Sequence, residues 1–355
     1  MQLSDIPYQR LQNQHLSANP FKKVVDVVNC LGAVQSQDYA GAKWALALRM
    51  VDTTEQDIDD AFNRGEILRT HIMRPTWHFV APKDLRWLLA LTAPRVHAIS
   101  AYYYRKSGFD ETIFKRSHIA IEKVLKGGKY VTREELRNAL REEHIAINDV
   151  LSSSYIIMHA ELEGLICSGP RRGKQFTYAL LAERVPQVKK IERNEALAEL
   201  TKRYFTSHGP ATIKDFSWWS GLTIADVKMG IELVKKTLQS ETINGKTYWF
   251  SELQPIIKTK VPQAYLLSNY DEYTIGYRNH EAIFDEDYRN IYDIRFPHVI
   301  VIDGKVIGSW KRIFEKKQMY IQTNLFRALN TEEKESLAKA TDKYATFIGM
   351  PVVLS

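Results

Sequence analysis

Cysteine is scarce: Cys30 and Cys167 are the only two among 355 residues. Neither belongs to a Cys-x-x-Cys pair and no His-x-x-x-His spacing accompanies them, so the sequence holds no zinc motif and no metal site is expected. One cysteine lies on an apolar helical pattern and the other follows Leu165-Ile166, which reads them as small buried hydrophobes and not as a disulfide. Also missing are a P-loop, a dinucleotide-binding glycine turn and a His-Glu-x-x-His helix. Nucleotide hydrolysis, redox chemistry and metalloproteolysis therefore lack support, and no cofactor is expected. No apolar run approaches membrane-spanning length, and Met1-Gln2-Leu3-Ser4-Asp5 lacks a basic start followed by an apolar stretch. The expected compartment is the cytoplasm, with no membrane partner. The absence of heptads or an evident dimer helix points to a monomer.

What remains is a globular composition, 45% hydrophobic and 26% charged, long enough for two or three units that each bury a core. A net charge of +7 suits a polyanionic partner without establishing one.

Hydrophobic periodicity divides the chain into an α+β, mainly helical protein: three tandem winged-helix units and a small mixed α/β C-terminal unit. The first, 1–112, carries an apolar helix at Val24, Val27, Val28, Leu31 and Val34, a helix around Asp57 to Phe62, and strands Leu68 to Met73 and Thr76 to Val80 about Arg74-Pro75. A further helix, Leu85 to Leu91, follows them. The second, 113–190, has helices from Ser117 to Lys126, from the capping box at Thr132 to Arg141, and from Ser152 to Leu162. Its hairpin, Leu165 to Ser168 and Phe176 to Ala179, has Arg171, Arg172 and Lys174 at the tip. The third, 191–255, has helices Asn194 to Phe205, Thr212 to Trp219 and, as the longest, Thr223 to Leu238, then a wing turning at Asn244-Gly245. From 256 to 355 the pattern gives strands Ala264 to Leu267, His298 to Ile302, Lys305 to Ser309 and Gln318 to Thr323, and a last helix from Thr331 to about Phe347.

The stretch that stands out as a site is Leu31-Gly32-Ala33-Val34-Gln35-Ser36-Gln37-Asp38-Tyr39-Ala40. Read in isolation, Gln35 caps the buried stripe and Gln37 faces water. The two share a site only if the backbone leaves helical geometry, which Gly32 eases. This stretch, together with Leu68-Arg69-Thr70 through Thr76-Trp77-His78-Phe79-Val80, Leu267 through Arg278, and Val301 through Arg312, resembles the AlkZ-like winged-helix DNA glycosylase family over nearly the whole chain. The family's Gln-aliphatic-Gln motif has Ser36 at its centre here, and Pro75 stands where glycine is usual.

The resemblance implies a monofunctional glycosylase acting on alkylated purines, in some members on interstrand crosslinks, without metal or organic cofactor. Its partner is double-stranded DNA, damaged or crosslinked. An N7-alkylated purine already carries positive charge and leaves without a strong acid, so the enzyme has mainly to position a water and accommodate an oxocarbenium-like transition state. Neutral amides both accept from and donate to such a water, which assigns Gln35 and Gln37 that role. Asp38 is a rival catalytic carboxylate, or else a helix cap. His78 enters as a secondary catalytic candidate on the resemblance alone.

Arg171, Arg172 and Lys174 are candidate phosphate contacts or an ordinary solvated turn; Lys311-Arg312 and Lys316-Lys317 are further basic pairs. Tyr102-Tyr103-Tyr104 offers base stacking or partial core, and Asp271 with Arg278 an ion pair or a DNA-side contact. The competing functions are a winged-helix transcriptional regulator and a non-catalytic DNA-binding scaffold.

Overall fold

In a computed structural model of the chain, Val24, Val27, Val28 and Leu31 form one buried face of the helix Val24–Leu31, and the chain turns at Gly32 with φ of 83°. Val34 is buried but lies beyond the helix, in the extended pair Val34–Gln35, because the left-handed glycine ends the helical run first. Cys30, off the buried stripe, is only half-buried, whereas Cys167 is buried; both are free thiols. The structure describes residues 1–18, 20–147, 149–188, 190–253, 255, 261–288, 298–315 and 318–355, and Lys316-Lys317 lie outside them. The architecture is mixed α/β and about 51% helical, which makes it mainly α. Among the described residues no helix is long and apolar enough to cross a membrane.

The chain forms two compact units. One comprises Met1–Asp59, Ala198–Trp219 and Thr223–Ser355, the other Asp60–Leu197 with Ser220–Leu222. The sheet of the first unit runs in the order Val352–Leu354, Met319–Leu325, Lys305–Phe314, His298–Ile302, Ala264–Leu267. All neighbours are antiparallel except the Val352–Leu354 edge, a strand the sequence pattern does not reveal. Asp303-Gly304, both with positive φ, close the tight hairpin between His298–Ile302 and Lys305–Phe314.

The helix Thr331–Ile348 opens with an Asn330/Glu333 capping box and closes at left-handed Gly349. It sends Tyr344 and Phe347 against Trp44, with ring centroids 4.8 and 5.1 Å apart. Trp44 belongs to Tyr39–Ala47, a helix that hydrophobic periodicity does not reveal because nearly every position in it is buried and no polar face marks the period. Its indole N–H donates to the Leu266 carbonyl at 2.6 Å. Burying that ring contributes on the order of 5 kcal/mol, taking ~25 cal/mol/Å² over about 200 Å².

Arg49, just beyond this helix, is 1% exposed and uses every N–H it has. Nε donates to the Gln14 carbonyl and one terminal nitrogen to Ala45 O and Asp271 Oδ2. The other donates to Gln14 Oε1 and Asp271 Oδ1, all these contacts being 2.7–3.0 Å. The bidentate partner is thus Asp271, and Arg278, which the sequence paired with it, is exposed.

In the second unit Leu68–Ile72 pairs antiparallel with Arg74–Val80. The turn falls at Met73 (φ 61°), and Arg74-Pro75 already belong to the returning strand. The helix expected at Leu85 to Leu91 extends over Pro82–Lys106, continuing through Pro94 and carrying the tyrosine run at its end. Tyr102 and Tyr103 are exposed and Tyr104 is buried, which splits the run between surface and core. Helices Glu111–Leu125, Arg133–Glu142 and Val150–Leu162 follow, with the Thr132/Glu135 capping box in place. Strands then run in the order Val131–Thr132, Thr177–Leu180, Ile166–Ser168.

Further along, Ile224–Val234 is shorter than expected, ending in a 3-10 turn before the strand Gln239–Ile243, and Arg193–Ser207 is the longer helix of that region.

Removing one partner of a buried ion pair leaves an uncompensated charge. Asp271→Ala should therefore cost about 3–5 kcal/mol in denaturant unfolding. Arg49→Lys should fail to preserve stability, because an ammonium cannot reproduce the planar fork.

Candidate active site

The glutamine stretch is anchored from below by a buried carboxylate. Glu272, fully buried, accepts the Gln35 backbone N–H on Oε1 at 2.9 Å. Its other oxygen accepts the Trp219 indole N–H at 2.7 Å and faces His208 Nε2 at 3.2 Å. His208 Nδ1 in turn meets Ser207 Oγ at 2.8 Å. Burial pushes His208 below its ordinary value against the pull of Glu272. Trp219 also lies under Gly32, where an added Cβ would sit 3.4 Å from the indole. The carboxylate therefore fixes where the chain runs after it leaves the helix. Gln35 is 4% exposed and Ser36 is fully buried, while Gln37 is exposed.

Asp38 caps the next helix, accepting from Gly41 N at 3.1 Å, and Arg312 lies 3.7 Å from its other oxygen. Gly41 permits this packing: a Cβ there would stand 2.8 Å from Asn269 Oδ1 and 3.0 Å from Asp38 Oδ2. The Asn269 backbone N–H donates to His298 Nδ1 at 3.0 Å, which places the proton of the neutral ring on Nε2. Burial holds His298 down at about 4, with Arg312 acting in the same direction and Asp38 against it. Beside these groups lies a cleft of about 560 Å³ lined by His298, Ser309, Trp310, Lys311, Gln322, Thr323 and Asn324. Lys311 is exposed there, and Arg312 donates to Tyr344 Oη at 3.3 Å.

The first unit thus gathers Asp38, Lys311 and Arg312 in one neighbourhood and fixes the backbone of Gln35 by a separate buried contact. Nothing in the sequence singles out Glu272, Asn269 or His298. Glu272 and Asn269 lie inside the quoted run Leu267 to Arg278, but no spacing in the chain connects them to residues 35–38.

His78, in the second unit, is fully buried, with Nδ1 3.1 Å from its neighbour Thr76's carbonyl. At the basic turn the three cations differ. Arg172 donates to Glu135 Oε1 at 2.8 Å and to the Tyr130 carbonyl at 2.7 Å. Arg171 lies over Phe176 at 5.4 Å and donates to the Lys174 carbonyl, whereas Lys174 is exposed. Glu135 is lowered to about 2, first by the Thr132 backbone N–H and then by Arg172.

The family profile described as DNA glycosylase AlkZ-like matches residues 28–347, and the chain belongs to that family. One relative, the interstrand DNA cross-link repair glycosylase of Streptomyces sahachiroi, is 25% identical over 322 residues, covering 85% of each chain. The solved structure of Streptomyces sahachiroi DNA glycosylase AlkZ matches with a TM-score of 0.81 at 21% identity, covering 100% of both chains. That likeness carries the fold.

A histidine neutral in the fold and titrating near 6.5 when unfolded takes up its proton first in the unfolded state. Stability should therefore fall as pH drops from about 6.5 towards about 4. His298→Gln should reduce the slope of unfolding free energy against pH in that window by up to about one proton, read from denaturation midpoints across the series.

Proposed function

We propose that the protein is a monofunctional DNA glycosylase that hydrolyses the N-glycosidic bond of N7-alkylated purines, alone or within an interstrand crosslink. Membership of a DNA glycosylase family over residues 28–347 is the observation that carries this reading. The Gln35 anchor on Glu272 supports it, since a water-positioning amide needs a fixed backbone.

In the proposed reaction the C1′–N9 bond breaks and its electron pair neutralises the cationic purine, while the water oxygen bonds to C1′ and releases a proton. Gln35 and Gln37 orient that water. Asp38, occupied by helix capping and by Arg312, serves to hold the segment, and the glutamines take the role it rivalled. His78, already close to Thr76 O, is read as a positioning residue of its hairpin.

Three tandem winged helices at 1–112, 113–190 and 191–255, followed by 256–355, remain our division of the chain. Each of the second and third has three helices before a hairpin. In this reading a cytoplasmic monomer grips duplex DNA with Lys174, Arg171, Arg172, Lys311 and Arg312 along the backbone. Family membership does not favour a transcriptional regulator.

Wild-type protein should release base from duplexes bearing N7-methylguanine or an N7-linked crosslink, and Gln35→Ala/Gln37→Ala should lose at least about two orders of magnitude in single-turnover rate while still binding duplex. Release that is undiminished in the double variant would remove the glutamines from the chemistry. Lys174→Ala should lower the slope of log affinity against log salt by about one, measured by fluorescence anisotropy on undamaged duplex.

A further inference from the structure

The second unit holds a cluster that the glycosylase reading does not use. His97 on the helix Pro82–Lys106, His159 on Val150–Leu162, and Glu163, the C-cap residue of that helix, bring one donor atom each to within 4.8 Å of one another. His97 Nε2 lies 3.0 Å from Glu163 Oε1. On the other side, His159 Nδ1 lies 3.1 Å from Nε2 of His118, which comes from the helix Glu111–Leu125. Two ring nitrogens at that distance share one proton, so the contact fixes the orientation of His159 and leaves its second nitrogen to another partner.

The surroundings are those of a ligand site. Phe114 stacks on the His159 ring at 3.7 Å between centroids, and Tyr104 meets its edge at 5.7 Å. Tyr104 Oη is also 3.3 Å from His97 Nδ1, the nitrogen turned away from Glu163. An ordered aromatic wall and a partner behind each ring are what orient metal-bound imidazoles. A hollow of about 370 Å³, lined by Arg86, Leu89, Ala93, His97 and Glu163 among others, borders the cluster, and Glu163 is 52% exposed, so an ion has a path from solvent.

We propose that His97, His159 and Glu163 bind one divalent first-row transition ion, with zinc the best match, and that His118 positions His159 for it. Two imidazoles and a carboxylate are a recurrent three-ligand set for zinc, with a water completing the tetrahedron. Bonds of about 2.0–2.2 Å space the donors about 3.3–3.6 Å apart, so the His97–Glu163 pair at 3.0 Å would open slightly and any wider separation, at most 4.8 Å, would close. Magnesium and calcium, which prefer all-oxygen shells, are poor matches. The ion would tie Pro82–Lys106 to the end of Val150–Leu162 and stabilise the second unit by mass action. The site is hard to read from the sequence, because the donors come from two helices and His97 lies far along the chain from the His159/Glu163 pair.

The test uses the full chain without a polyhistidine tag, stripped with chelator and dialysed. Zinc titration by calorimetry should show one equivalent bound, the thermal midpoint should rise by several degrees, and cobalt should give the visible ligand-field bands of nitrogen ligation. Glu163→Gln, at a half-exposed position that leaves packing intact, should weaken binding at least about tenfold, and His118→Gln by about 10–100-fold. His97→Gln should abolish the cobalt bands, and exposed His144→Asn should change nothing. Absence of stoichiometric binding by the wild-type chain, or binding unchanged in both His97→Gln and Glu163→Gln, overturns the proposal. Base release plays no part in these readouts.

Discussion

A buried guanidinium with all five N–H groups satisfied is a demanding object, and the first unit is built to satisfy this one. Arg49 reaches Gln14 near the N-terminus, Ala45 one turn back and Asp271 far along the chain. Burial opposes the charge, but Asp271 and then Glu272 hold Arg49 above its ordinary value. An uncompensated charge at that depth would cost several kcal/mol, so the three segments are bound to one geometry. Because Asp271 and Glu272 are neighbours on one short turn, fixing the first sets the second beneath the glutamine stretch.

That linkage leaves each carboxylate of the region already engaged by the fold. Asp271 is consumed by Arg49, Glu272 by the Gln35 N–H and Trp219, and Asp38 by its helix cap and Arg312. What the stretch still presents to solvent is Gln37, an uncharged amide. In the reaction proposed above, whose leaving base is already cationic, strong acid–base assistance adds little and an uncharged amide is suited to placing water.

The second unit manages polar groups differently. His71 pairs with Glu161, Arg69 stacks between Trp77 and Phe176 at 4.4 and 4.6 Å, and His97, His118 and His159 collect against an aromatic wall. Burial holds all three imidazoles below their ordinary value, so they collect without the mutual repulsion that a carboxylate cluster of the same size would face.

Local signals determined much of the chain. The three-and-four spacing at Val24 to Leu31, the Thr132/Glu135 capping box and the Asn244-Gly245 and Asp303-Gly304 turns each act within a few residues, so they can be read without the fold. The helix Tyr39–Ala47 was hidden because burial on all sides erases the polar face that reveals a period, and Val352–Leu354 because a short edge strand gains its identity from the strand beside it. The glutamines themselves stood out in the sequence. The carboxylate that anchors them, the arginine that fixes that carboxylate's turn, and the three-helix histidine cluster were decided by the tertiary structure alone. Their partners are separated by tens to hundreds of residues, and the energy of a buried charge or a shared proton exists only once folding has excluded water around both groups.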